Sequence, residues 1–251
     1  MIPTDTTTIL AAFAIFCRIG ACLMVAPGFS SSQVPARFRL YIALAVSLAL
    51  TPILLDDMRP RIGDGSGVTL VPLLFAELAK GFLIGFIARL FFSALQFILV
   101  GINQFIGIGA IPGTMIDGGE QMPAAASLFS MAAITLMFVS GLHVELMRGL
   151  IESYVTIPPG PTFGSRVALV DIADQLSAAF LIALRIGAPF IIYSIIVNFA
   201  LGVANKLTPL IPVFFIGMPF VMFGGLVLVL ISTQEFLSYF EAAFAAWLAK
   251  G

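Results

Sequence analysis

Charge is what this chain has least of. Asp, Glu, Lys and Arg make up 10% of its 251 residues and the net charge is -1. An ordinary soluble domain carries about 25% charged residues. The near-zero balance leaves no basic footprint for nucleic acid and no acidic tail. A single histidine, His143, excludes every metal motif that needs two. The two cysteines, Cys17 and Cys22, lie five apart in an apolar stretch that should be helical. That spacing puts them on different faces, at least about 8 Å apart and too far to bridge. Small apolar packing is the reading for both.

Enzyme and cofactor motifs are missing as well. Gly107, Gly109 and Gly113 do not form G-x-G-x-x-G, because Pro112 holds the last position, and no Lys-Ser/Thr pair follows a glycine loop. Ser140 and His143 are three apart, but no G-x-S-x-G surrounds the serine. No catalysis, cofactor or metal is expected.

What the chain has is apolar sequence: 60% hydrophobic residues and a mean hydropathy of +1.11. One water-soluble core of this size could not hide that much apolar surface. Lipid, a membrane assembly, or both must cover it. A spanning helix requires about 20 residues, and six or seven candidate runs lie near 9–26, 40–55, 68–99, 101–111, 124–142, 175–203 and 210–248. The first run has no Lys or Arg before it and carries Arg18 in its middle, so it is expected to remain in the mature protein rather than act as a cleaved signal. The runs lack the alternation of a barrel, which predicts an all-α, multi-helix integral membrane or membrane-assembly protein with long, kinked helices. Polar connections are expected at 27–39, 56–67 and 143–174, with a break at Asn205-Lys206-Leu207-Thr208-Pro209. Arg37 and Arg39 mark one connection and Arg59 and Arg61 the next, so the positive-inside rule sets no orientation. Arg18-Ile19-Gly20-Ala21 recurs as Arg185-Ile186-Gly187-Ala188, but on the order of one such match arises by chance in so biased a chain.

Charges inside apolar runs are the first functional signal in such a chain. Glu77 and Lys80 are three apart and share a helix face, which suits a local ion pair. Arg89 lies about 180° round the helix from Lys80 and cannot join them. Arg18 and Arg185 have no partner nearby in sequence. Pairing between helices or subunits accounts for these charges better than a proton or ion relay, which would favour more carboxylates within the spans. Gly81-x-x-x-Gly85 permits close approach of another helix backbone.

The segment from Gly107 to Pro123, GIGAIPGTMIDGGEQMP, has five glycines and two prolines between apolar runs. Irregular backbone near membrane depth is tolerated when it is buried in protein or lines a cavity. Met115 and Met122 suit a yielding seal. Composition leaves a pore obstruction and a simple interhelical connection both open.

Longer motifs carry a resemblance. Arg18 is followed by Ala26-Pro27-Gly28-Phe29, then Val34-Pro35-Ala36-Arg37-Phe38-Arg39 and an Ala/Leu helix reaching Thr51-Pro52. Glu77-Leu78-Ala79-Lys80-Gly81-Phe82-Leu83-Ile84-Gly85-Phe86 and the Asp117-Gly118 loop come next. Pro189-Phe190, Asn198-Phe199-Ala200-Leu201-Gly202, Asn205-Lys206-Leu207-Thr208-Pro209, Val213-Phe214 and Ile216-Gly217 complete the set. Together they resemble the flagellar biosynthesis protein FliR and its injectisome counterparts over nearly the whole chain. One turn departs from the pattern, with Leu210 and Pro212 where the family usually has Gln and Asn.

The resemblance implies an export-gate subunit of the bacterial flagellar type III secretion apparatus, in the inner membrane at the flagellar basal body. Such a subunit forms, with FliP-like and FliQ-like subunits, a closed channel for unfolded substrate proteins, beside FlhB-like and FlhA-like proteins. It implies a FliP-like helical part at 1–174, containing the 107–123 loop, and a FliQ-like helical hairpin at 175–251. It also implies a pore plug at about Gly107, Gly109, Pro112, Gly113, Met115, Asp117, Gly118, Gly119, Glu120 and Met122. Arg18, Glu77, Lys80, Gly81, Gly85, Arg89, Arg185 and Lys206 are the candidates for contacts between helices or subunits. The alternative is a multi-pass secondary transporter, which would predict inverted repeats and matching unwound half-helices.

Overall fold

The computed structural model describes residues 5–30, 34–63, 65–108, 123–160, 165–208, 210 and 212–249, the side chains of 165–169 and 171 excepted. Among the described residues there are seven α-helices and no extended strand. They are α1 (Thr6–Val25), α2 (Ala36–Ile62), α3 (Gly67–Phe105), α4 (Ala124–Val139), α5 (Leu142–Thr156), α6 (Ser165–Leu207) and α7 (Val213–Leu248). Helix is the economical solution for apolar sequence, because each segment satisfies its own backbone N–H and C=O groups.

Among the described residues, five helical stretches are long and apolar enough to cross a membrane: Thr6–Val25, Ala36–Ile62, Gly67–Phe105, Ile172–Leu207 and Val213–Leu248. α4 and α5 pass the same test only as a pair, which makes six if the pair is one broken span. The break falls at Gly141, whose φ of 78° lies in the left-handed region that glycine enters without a β-carbon clash.

Three expected boundaries move. The 56–67 connection starts only at Gly63, because α2 continues through Pro52 and Pro60 to Ile62. An interior proline costs a helix about 3 kcal/mol. Here Ser47, Leu50, Thr51, Leu54, Leu55, Met58 and Ile62 keep one buried face continuous across Pro52, and that packing offsets the missing hydrogen bond. The 68–99 run and the start of the 101–111 run, as far as Phe105, become one helix, α3, which passes Gly101 without a break. It ends where Gly107 turns left-handed (φ 79°), with the Ile108 amide bonded to Asn103 O and the Gly107 amide to Gln104 O. This pair of bonds is a Schellman stop. Within the expected 143–174 connection, α5 runs to Thr156 and α6 begins at Ser165; Leu142, Leu146, Leu150 and Tyr154 recur every fourth residue and bury one face of α5.

α3, with 39 residues, α6, with 43, and α7, with 36, are each longer than one bilayer core. At 1.5 Å per residue they run roughly 54–65 Å, against a hydrocarbon thickness of about 30 Å.

The chain forms two compact units. The first comprises Met1–Leu90, Gly141–Leu176 and Leu248–Gly251. Its centre is α1, whose Ala11, Ala14, Ile15, Arg18, Ile19, Cys22 and Leu23 are buried at helical spacing. The second comprises Phe91–Ser140 and Ser177–Trp247. Within it, Phe92 meets Phe240 and Phe244 edge-on at 5.0 and 5.4 Å, and Phe129 meets Phe236 at 5.3 Å. Such pairs add about 0.5–1.5 kcal/mol beyond their area burial.

Candidate functional site

α1 and α3 approach each other more closely than any side chain would permit. A β-carbon on Gly81 would collide with the backbone carbonyl of Arg18. One turn further along both helices, a β-carbon on Gly85 would stand 2.6 Å from the carbonyl oxygen of Cys22. The two glycines therefore seat α3 directly on the backbone of α1.

This close seat sets up a buried charge cluster. Glu77, one turn before Gly81, turns its carboxylate to Arg18, with Nε to Oε2 at 2.6 Å. Lys80 donates to the other carboxylate oxygen at 3.1 Å. All three side chains are buried almost completely. A lone buried charge would cost several kcal/mol, and two cations with one carboxylate leave an excess positive charge.

The end of α5 supplies the balance. Arg18 Nη1 donates to the carbonyl and the hydroxyl of Ser153, each at 3.1 Å, and Nη2 donates to Ile157 O at 3.1 Å. Lys80 Nζ donates to Pro158 O at 2.9 Å and to Gly160 O at 3.1 Å. These carbonyls lie in and just beyond the last turn of α5, where the helix dipole is negative and the acceptors lack helical donors, apart from Ser153 O, which also accepts the Ile157 amide. The guanidinium also stacks over the Tyr154 ring, 4.0 Å from its centroid.

The cluster thus ties α1, α3, α5 and the 157–160 segment to one point. Among the described residues, no group of His, Cys, Asp and Glu is placed to hold a metal. The Ser140 hydroxyl donates to Leu136 O in its own helix at 2.6 Å.

The remaining sequence candidates fall elsewhere. Arg89 is half-buried on α3. Arg185, exposed on α6, donates to the Tyr239 hydroxyl of α7 at 2.9 Å. Lys206 is exposed in the last turn of α6, where a cation complements the helix dipole. Gly107 ends α3, as described above. Gly109, Pro112, Gly113, Met115, Asp117, Gly118, Gly119, Glu120 and Met122 lie outside the described residues. Sequence reasoning missed Ser153, Tyr154 and the carbonyls of Ile157, Pro158 and Gly160. Backbone acceptors have no residue signature, although the Pro158-Pro159-Gly160 run marks a segment that must expose them.

Comparison with known proteins gives the chain a family. The model of the bacterial export proteins, family 1, matches residues 9–247. The chain belongs to that family. Among its relatives is the flagellar biosynthetic protein FliR of Caulobacter vibrioides, 26% identical over 233 residues, covering 89% of this chain and 88% of the relative. The flagellar biosynthetic protein FliR of Aquifex aeolicus is 29% identical over 238 residues, covering 89% and 90%. The Yop proteins translocation protein T of Yersinia pestis is 28% identical over 230 residues, covering 90% and 87%. The family match takes in α1, α3 and α5, and hence the whole charge cluster.

Proposed function

We propose that this chain is an export-gate subunit of the bacterial flagellar type III protein secretion apparatus, in the inner membrane at the flagellar basal body. The observation that carries this reading is a match to an export family over residues 9–247, with relatives named as flagellar biosynthetic and translocation proteins. The subunit assembles with FliP-like and FliQ-like subunits, beside FlhB-like and FlhA-like proteins, around a path for unfolded substrates. Its role is structural rather than enzymatic.

Two features support assembly. The apolar stretch of α7 is almost wholly uncovered, with only 6% of it buried within the chain. That much exposed apolar surface calls for lipid or neighbouring subunits. α6 and α7 also meet as a hairpin: Tyr193 donates to Val221 O at 2.7 Å, and Gly224 would clash with the Tyr193 hydroxyl if it bore a β-carbon. This supports a FliQ-like hairpin at 175–251 following a FliP-like part at 1–174. In this reading residues 107–123 plug the pore, while Arg18, Glu77, Lys80, Gly81, Gly85, Arg89, Arg185 and Lys206 serve contacts between helices or subunits.

Co-purification and conductance test the proposal together. Tagged full-length chain should retain FliP-like and FliQ-like subunits through size exclusion, and its deletion should abolish motility. A chain shortened within 107–123 should still assemble but leak small ions. A chain that purifies alone, or an assembled shortened complex with unchanged conductance, would remove respectively the gate assignment or the plug.

A further inference from the structure

The α6–α7 hairpin carries a charged cavity that the cluster around Arg18 does not involve. Arg185, Ile186 and Pro189 of α6 and Glu235, Phe236, Tyr239 and Ala242 of α7 are among the residues that line a cavity of about 840 Å³. Cavities of roughly 300–1,000 Å³ are the usual size for small-ligand sites. Two of the lining groups are oppositely charged and exposed, which is costly on a helix that faces hydrocarbon alone.

Their spacing from the hairpin turn suits exposure at a bilayer face. Residues 186–205 of α6 and 213–234 of α7 contain no Asp, Glu, Lys or Arg. Arg185 and Glu235 each lie 22 residues from the helix end at the hairpin turn, Leu207 or Val213, which is about 33 Å along either helix. The hydrocarbon core is about 30 Å thick. A bilayer placed with Asn205 and Lys206, in the last turn of α6, at one face puts Arg185 and Glu235 at headgroup level on the other. Tyr239 lies one turn from Glu235, at the depth where tyrosine anchors spans.

We propose that this cavity holds the headgroup of a zwitterionic aminophospholipid. Arg185 uses one guanidinium hydrogen on Tyr239 Oη at 2.9 Å and keeps others for a phosphate. The tyrosine hydroxyl, accepting from Arg185, directs its own proton to the same phosphate. Glu235 accepts hydrogen bonds from the primary ammonium. Ile186, Pro189, Phe236 and Ala242 cover the glycerol and upper acyl carbons. The charge pattern selects the lipid. Phosphatidylglycerol offers Glu235 no cation, and the quaternary ammonium of phosphatidylcholine has no N–H to donate.

Native mass spectrometry of the full-length chain, delipidated and then exposed to each lipid, tests this. Wild type should retain phosphatidylethanolamine on the order of tenfold better than phosphatidylglycerol or phosphatidylcholine, the worth of one charge-assisted hydrogen bond. R185Q should lose retention of all three. E235Q should keep binding but lose the preference for the ethanolamine lipid. Y239F, which alters only a hydroxyl, should weaken retention a few-fold at unchanged helix content. Soluble phosphoethanolamine should not compete at matched concentration, since it lacks the chains. Equal retention of the three lipids by wild type, or retention unaffected by all three variants, overturns the proposal. Full competition by phosphoethanolamine, or displacement of the lipid whenever a FliQ-like subunit binds, also overturns it, the latter assigning the cavity to a protein partner.

Discussion

The backbone carbonyl of Arg18 occupies the space that a β-carbon on Gly81 would need. The residue that anchors the charge cluster therefore also forms the floor on which α3 is seated. Both helices are regular at this point, so a methyl group there has only backbone to push against.

Gly81→Ala and Gly85→Ala should each force α1 and α3 apart and stretch the Arg18–Glu77 pair. Overpacking of this kind costs about 1–3 kcal/mol, occasionally more. Thermal melts of the purified chain should show both variants well below wild type. Gly149→Ala is the control: nothing stands within 4 Å of its would-be β-carbon, and it lies inside α5. That change should raise stability by about 0.5–1 kcal/mol.

Within the charge cluster the three side chains should not be equivalent. Glu77→Gln leaves two buried cations without a carboxylate, whereas Arg18→Met leaves Glu77 and Lys80 still paired. Glu77→Gln should be the more damaging, and both should cost about 3–5 kcal/mol. Yield of monodisperse protein after size exclusion orders them. Equal yields would mean that the carbonyls at the end of α5 carry the cations without help from the carboxylate.

Tyr154 serves Arg18 through its ring. Its hydroxyl is buried and makes no hydrogen bond among the described residues, while the ring lies under the guanidinium. Tyr154→Phe should therefore be neutral or slightly stabilising, since it removes a polar group without a partner. Tyr154→Ala should cost about 3–5 kcal/mol, because the cavity and the lost cation contact add. Paired melting temperatures check the contrast.

The single tryptophan reports on the aromatic core of the second unit. Trp247 lies 5.1 Å from the Phe91 ring and 5.5 Å from Phe244. Phe244→Ala should open a cavity worth about 3–5 kcal/mol and shift Trp247 emission to the red. Phe244→Leu should keep most of the volume and leave the emission near wild type.

Much of this protein was legible before any coordinates. Hydropathy alone determined a helical membrane chain, because backbone polar groups in lipid can be satisfied only internally or in a closed barrel. The Glu77-x-x-Lys80 spacing placed two charges on one face, and Gly81-x-x-x-Gly85 marked a seat for another helix. Boundaries were less legible. Prolines at 52 and 60 and a glycine at 101 weaken a helix locally, but the buried faces of α2 and α3 run on past them, and packing decides. The partners of Arg18 were invisible for a different reason. Glu77 is 59 residues away, Ser153 is 135 and Ile157 is 139, and half of the acceptors are backbone carbonyls present at every position. Composition determines that a buried cation must be neutralised. Only the tertiary structure, by bringing the end of α5 against the α1–α3 seat, decided which groups do so.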